Sequence, residues 1–188
     1  EFDNEPGPGA RAFTAEGEPN VATTGAMIAG TDHDLLYQTE FRGSDLGFEV
    51  GVPNGTYEVT LHFAENFFEE NGARVFDVSV QGEQIVDDLD IHAEVGHDTA
   101  YTITVPEVQI ESGKLEIRST TETDNTKYSG IEIREVAGAG PGVSTPYGLN
   151  AGGTGTEGTV EIGGVEFDNE PAEGVTAVAD GEVNVATT

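Results

Sequence analysis

Between Leu61 and Phe76 the chain reads LHFAENFFEENGARVF, which sets two adjacent phenylalanines, Phe67 and Phe68, inside an acidic, polar run. A connection of this composition is ordinarily all polar, and loops on a rigid sheet carry function more often than core. Aromatic rings placed there can pack on the C–H faces of a ligand while neighbouring carboxylates and amides fix its hydroxyls. The alternative is that both rings pack beneath a loop or against another subunit. Glu65 and Asp77 offer a carboxylate pair of the kind glycoside hydrolysis uses. With 36 acidic residues, though, some such pair arises by chance. His33, His62, His92 and His97 lack the spacing of a metal site, so core or surface roles account for them. Asp87, Asp88 and Asp90 are candidate Ca2+ ligands, without an EF-hand-type loop around them; no other cofactor is expected. Cysteine is absent, which excludes disulfides, thiolate metal sites and a cysteine nucleophile. No nucleophile elbow, phosphate loop or dinucleotide fingerprint occurs, and the expectation is that the chain is not an enzyme.

The elements that must hold these residues read as strands. Tyr57, Val59, Leu61 and Phe63 alternate with Glu58, Thr60 and His62, and Phe76, Val78 and Val80 alternate with Asp77 and Ser79. That period of two marks a sheet with one buried face, and these two strands are expected at its centre. Phe48, Val50 and Val52 form a further strand ending at Pro53-Asn54-Gly55-Thr56, and Asn-Gly between alternating runs predicts a hairpin. Asn54-Gly55-Thr56 is also a glycosylation sequon, which the turn explains without sugar. More strands are expected at 83–86, 100–105, 107–111, 114–119 and 129–136, with Ser112-Gly113 turning one into the next. Residues 34–40 form a compact apolar and aromatic segment, and 1–30 are expected to be irregular with short strands. No segment sustains a 3.6-residue period with caps. The reading is all-β: an antiparallel sandwich with little helix.

Charge limits the partners. Against 36 acidic residues stand 7 basic ones, a formal net charge of -29. Such a surface repels nucleic acid and anionic membranes, and no apolar run is long enough to span a bilayer. Two explanations remain, a protein that works in high salt or one that binds many cations. The acids are scattered rather than blocked, which favours the halophile reading, because the screening length falls to about 3 Å near molar salt. No signal peptide is recognisable, and the abrupt start fits a mature or cut product.

Residues 137–146, AGAGPGVSTP, have linker composition. Beyond them the opening of the chain returns. Phe2-Asp3-Asn4-Glu5-Pro6 recurs at Phe167-Asp168-Asn169-Glu170-Pro171, and Asn20 to Thr24 (NVATT) recurs at Asn184 to Thr188. The order is kept and the spacing is about 165 residues, as in a tandem array.

Leu36-Tyr37-Gln38-Thr39-Glu40, Pro53-Asn54-Gly55-Thr56-Tyr57, Leu61-His62-Phe63-Ala64-Glu65, Val75-Phe76-Asp77-Val78, Asp88-Leu89-Asp90-Ile91 through Val95-Gly96-His97, and Ser129-Gly130-Ile131-Glu132-Ile133 together resemble a malectin-like carbohydrate-binding domain. The resemblance covers roughly residues 30–136 and implies a jelly-roll-like β-sandwich, extracellular or at the cell surface. The partner it implies is an oligosaccharide or surface glycan, held by loops at one end of the sandwich. It makes Phe67 and Phe68 the stacking pair, Asp124 the acidic sugar contact and Tyr37 a further contact. The family usually has a tyrosine where Phe67 stands, so one hydroxyl is lost here. Tyr147-Gly148-Leu149-Asn150-Ala151-Gly152-Gly153 is similar to the strand that opens the family's domain. The expected organisation is therefore a malectin-like domain at 1–136 lacking its first strand, a linker at 137–146, and at 147–188 the N-terminal segment of a following repeat. The ten linker residues reach at most about 35 Å, so that segment is expected to complete the sandwich in cis or in a neighbouring chain. The second course is donor-strand complementation, a head-to-tail self-association that builds a filament.

Overall fold

In the computed structural model, residues 10–136 are described throughout, and beyond them four strands are described as backbone. In chain order the elements are β1 (Ala10–Phe13), β2 (Asn20–Thr23), α1 (Asp34–Tyr37), β3 (Thr39–Gly43), β4 (Gly47–Gly51), β5 (Gly55–Ala64), β6 (Val75–Val80), β7 (Glu83–Leu89), α2 (Ile91–Val95) and β8 (Ala100–Ile110). They continue with β9 (Lys114–Thr123), β10 (Thr126–Tyr128), β11 (Gly130–Glu135), β12 (Tyr147–Ala151), β13 (Val160–Ile162), β14 (Val165–Phe167) and β15 (Val183–Thr187). The copies of FDNEP fall largely outside the described residues.

Two five-stranded antiparallel sheets face each other, one ordered β1-β4-β9-β6-β7 and the other β15-β12-β11-β5-β8. Alternation along the strands explains why they do. Every second residue of β6, and of β9 as far as Ser119, is buried, and Phe76, Val78, Leu115 and Ile117 meet Val59, Leu61, Phe63, Ile131 and Ile133 in one core. Aromatic rings cross the interface: Phe63 lies 6.1 Å from Phe76 and 4.9 Å from Tyr128, and Phe48 lies 5.1 Å from Tyr128. The all-β antiparallel sandwich is thus the observed fold, and among the described residues helix is confined to α1 and α2.

The connections differ from expectation. The predicted hairpin at Asn54-Gly55 does not form. β4 pairs with β1 and β9, whereas β5 pairs with β11 and β8, so this turn carries the chain from one sheet to the other. Asn54 Oδ1 instead accepts the Gly113 N–H at 2.7 Å, and Val52 N–H donates to the Gly113 carbonyl at 3.1 Å. Two sheet-to-sheet crossovers are therefore tied together at this end. The aromatic loop between β5 and β6 is a third such crossover. The strands expected at 100–105 and 107–111 are one continuous strand, β8. Pro106, which has no N–H to donate, falls where the β5–β8 register slips between Tyr57 and Val59. A bulge on an edge strand accommodates it.

A third, small sheet ordered β10-β3-β2 lies beside the aromatic loop. Its strand β2 is the first NVAT copy, paired with β3, whereas the second copy in β15 pairs with β12. The far end of β5 is buried on both faces, because Ile28, Leu36 and Tyr37 from the preceding loop and α1 pack on Ala64. This double burial shapes the floor of the candidate site.

Candidate functional site

β5 ends at Ala64, and the next residue, Glu65, is only 1% exposed. One of its carboxylate oxygens accepts the backbone N–H groups of Phe67 and Phe68 at 3.0 and 3.1 Å, which folds the loop back over its own root. The other accepts Arg74 Nε at 2.7 Å. Arg74 stands just before β6, so a buried ion pair closes the loop from end to end. The same guanidinium donates from Nη1 to Asp124 Oδ2 at 3.0 Å and to the Asn125 carbonyl, and lies 5.1 Å over the Phe68 ring. Phe68 in turn meets Phe67 edge to face at 4.9 Å.

A second cation completes the set. Lys127, on β10, has no exposed side-chain surface; its Nζ pairs with Glu40 of β3 and lies 3.9 Å from Glu65 and 3.4 Å from Asn66 Oδ1. Burial alone would raise the Glu65 carboxyl, but Lys127 and Arg74 outweigh it and hold the group below the usual carboxylate range. Burial pushes the Lys127 ammonium down, against the pull of Glu40 and Glu65. Charges this deep persist only when paired and hydrogen-bonded, and both conditions are met here.

Above this network lies an open cleft, whose walls include Thr23, Thr24, Gln38, Arg42, Asn66 and Phe67. Phe67 is 67% exposed, one of the few large apolar side chains turned to solvent among the described residues. Asp124, 38% exposed, sits at φ 56° in the turn into β10, a left-handed conformation that aspartate tolerates. Phe67, Phe68 and Asp124 are thus brought together through Arg74. Tyr37 is not brought to them: it is 4% exposed, and its hydroxyl shares a 2.9 Å hydrogen bond with His62 Nδ1. Burial, and then the Glu132 charge, push this phenol up to about 12. Burial, and then His33, hold His62 down at about 4, with its Nε2 4.0 Å from Glu132. Tyr37 is therefore buried with Ile28, Leu36 and Ala64, one residue before Gln38 of the cleft wall.

Other candidates have local duties. Asp77 Oδ1 accepts the Asp88 N–H at 2.9 Å, and both Glu65 oxygens are committed, so the two do not form an open carboxylate pair. Asp90 caps α2 by accepting the Ala93 N–H, and Asp87 accepts from Gln84. Among the described residues no group of three or more histidines and carboxylates is gathered as for a metal. Arg74, Lys127 and Glu40 had no assigned role in the sequence reading. The available signal was scarcity, since two of only 7 basic residues follow shortly after the aromatic pair and after Asp124.

The family profile described as Malectin domain matches residues 3–143, well over half the chain. The chain belongs to the malectin domain family. Mouse (Mus musculus) malectin is 40% identical over 100 residues, covering 52% of this chain and 34% of that protein. Xenopus laevis malectin-B is 37% identical over 105 residues, covering 55% and 38%. The chain thus spans little more than a third of the length of these curated relatives. Among solved structures, the ectodomain of ANX2 from Arabidopsis thaliana superposes with a TM-score of 0.54 at 18% identity, covering 65% of this chain and 41% of that one. At that identity the likeness is one of fold.

Two outcomes test the site. Arg74→Met removes the cation shared by Glu65 and Asp124 and leaves a buried carboxylate, so unfolding in denaturant should show a loss of about 3–5 kcal/mol. A loss under about 1 kcal/mol would mean that the network does not hold the loop. His62 predicts an acid limb. Its folded pKa lies below the ordinary 6.5. The unfolded chain therefore binds the extra proton between about pH 6.5 and 4, and stability rises with pH across that window. Burial raises Glu132, which opposes this over the lower part. The difference between wild type and His62→Gln should isolate a change of about 3 kcal/mol; parallel profiles would refute it.

Proposed function

We propose that this chain is a non-enzymatic carbohydrate-binding module of an extracellular or cell-surface protein, taking an oligosaccharide at the loop end of the sandwich. The observation that carries the reading is Phe67: an exposed ring at the rim of a cleft, on a loop whose backbone is fixed by a buried carboxylate. Rigid aromatic surface binds sugar C–H faces at low entropic cost. Phe67 and Phe68 form the stacking platform and Asp124 accepts from sugar hydroxyls, while Tyr37, buried against His62, makes no sugar contact. That the Glu65 oxygens are fully engaged supports binding rather than hydrolysis. The scattered acids and the repeated FDNEP and NVATT segments support the wider setting, a secreted repeat protein working in high salt. Titration with a broad panel of glucans and cell-surface glycans in high salt should raise the melting temperature of the wild type, and Phe68→Ala should abolish the rise. No shift with any glycan would sink the reading.

A second reading rests on a specific pairing. β12 lies antiparallel to β11 in register, Gly130 opposite Asn150 and Ile133 opposite Tyr147. Together with the repeated FDNEP and NVATT segments, this supports residues 147–188 as the start of a following repeat that completes the sheet of residues 1–136. Supplied by a neighbouring chain, the same ladder would build a filament by strand exchange. Light scattering in molar salt should then show species that grow with concentration; a strict monomer at all concentrations rules the filament out.

A further inference from the structure

Seven basic residues serve a chain with 36 acidic ones. Arg74, Lys114, Arg118, Lys127 and Arg134 each pair with carboxylates, and Arg11 lies 5.2 Å over the Phe13 ring. Arg42 alone has neither an ion pair nor an aromatic face among the described residues, and it lines the cleft beside Phe67. Its place is structurally fixed. It is the fourth of the five residues of the central strand of the small sheet, opposite Asn20 on β2 and Lys127 on β10. Glu40, two residues earlier on the same strand and also in the cleft wall, is occupied by Lys127. That neighbouring carboxylate is therefore already neutralised, and the half-buried Arg42 lines the cleft without an ion pair among the described residues.

A composition this acidic offers partners to any exposed cation, so an arginine without one marks a place where the partner arrives from outside. The planar fork of a guanidinium matches an oxyanion with paired oxygens. Around it stand the Thr23 and Thr24 hydroxyls and the Gln38 amide, which suit sugar hydroxyls, and the Phe67 ring that suits a sugar face. Resting on the carbohydrate reading above, we propose that the cleft selects an acidic saccharide, its oxyanion, a uronate carboxylate or a sulfate ester, seated on Arg42. The overall charge of -29 disfavours anions at long range. Beyond a screening length of about 3 Å in molar salt that repulsion is gone, while the contact at Arg42 remains.

The test uses the full chain in molar salt and calorimetric titration with cellobiose, maltose and laminaribiose, each as the neutral sugar, as its terminal uronate and as its terminal sulfate. Wild type should bind at least one acidic form about tenfold or more tightly than its neutral parent, and the uronate and sulfate arms tell the two oxyanions apart. Arg42→Gln should erase that preference, whatever it does to the affinity for the neutral parent, and should keep the melting temperature, since Arg42 holds no ion pair among the described residues. Arg42→Lys should restore part of it. Equal binding of neutral and acidic forms, weaker binding of the acidic ones, or a preference that survives Arg42→Gln overturns the inference and leaves the carbohydrate reading standing. Binding of none of the sugars overturns both.

Discussion

Glu65 is the constraint on which the candidate site depends. A carboxylate at 1% exposure must be matched by donors or it will take up a proton. Here the donors are two backbone N–H groups of the loop and the guanidinium at the loop's far end. Satisfying the charge and folding the loop are therefore one event. Lys127 and Glu40 extend the arrangement to the small sheet, so two positive and two negative side chains bind three structural pieces into one floor. Phe67 can stay exposed without collapsing onto the core, because its backbone is held from below.

The fold was legible where it depends on period and illegible where it depends on pairing. Alternation at Tyr57 to Phe63 and at Phe76 to Val80 identified which residues face the core, and they do. Alternation carries no information about which sheet a strand joins. The Asn54-Gly55 turn has hairpin chemistry, yet its flanking strands lie in opposite sheets, since the Asn54 side chain finds a partner in the Gly113 crossover rather than across a ladder. The strands expected at 100–105 and 107–111 leave out Pro106, which has no N–H for a ladder. In the fold it stands at a bulge on a sheet edge, where no ladder bond is required of it.

The site was legible in part for a related reason. Phe67 and Phe68 stood out because their type contradicts their neighbours. Nothing comparable flags Glu65, Arg74, Lys127 and Glu40, which in sequence are charged residues among many others. Their pairing joins β3, the end of β5, the residue before β6, and β10, and only tertiary structure brings these together. Tyr37 shows the opposite case: its motif marks it, but α1 turns it inward onto His62.

The two sets of ion pairs in this molecule respond differently to solvent. On neighbouring strands β4 and β9, Lys114 and Arg118 share Glu49 and Glu116 at partly exposed positions. Pairs of that kind contribute little and are screened as salt rises. Arg74 and Lys127 are 3% and 0% exposed, so dissolved ions cannot come between them and their carboxylates. A surface charge of -29 makes the periphery highly sensitive to ionic strength. The loop that carries Phe67 and Phe68 is insulated from that sensitivity, because the charges that shape it lie beneath the surface. Placing the scarce cations in the interior of the site is therefore the arrangement that keeps its geometry constant while the surface around it changes with salt.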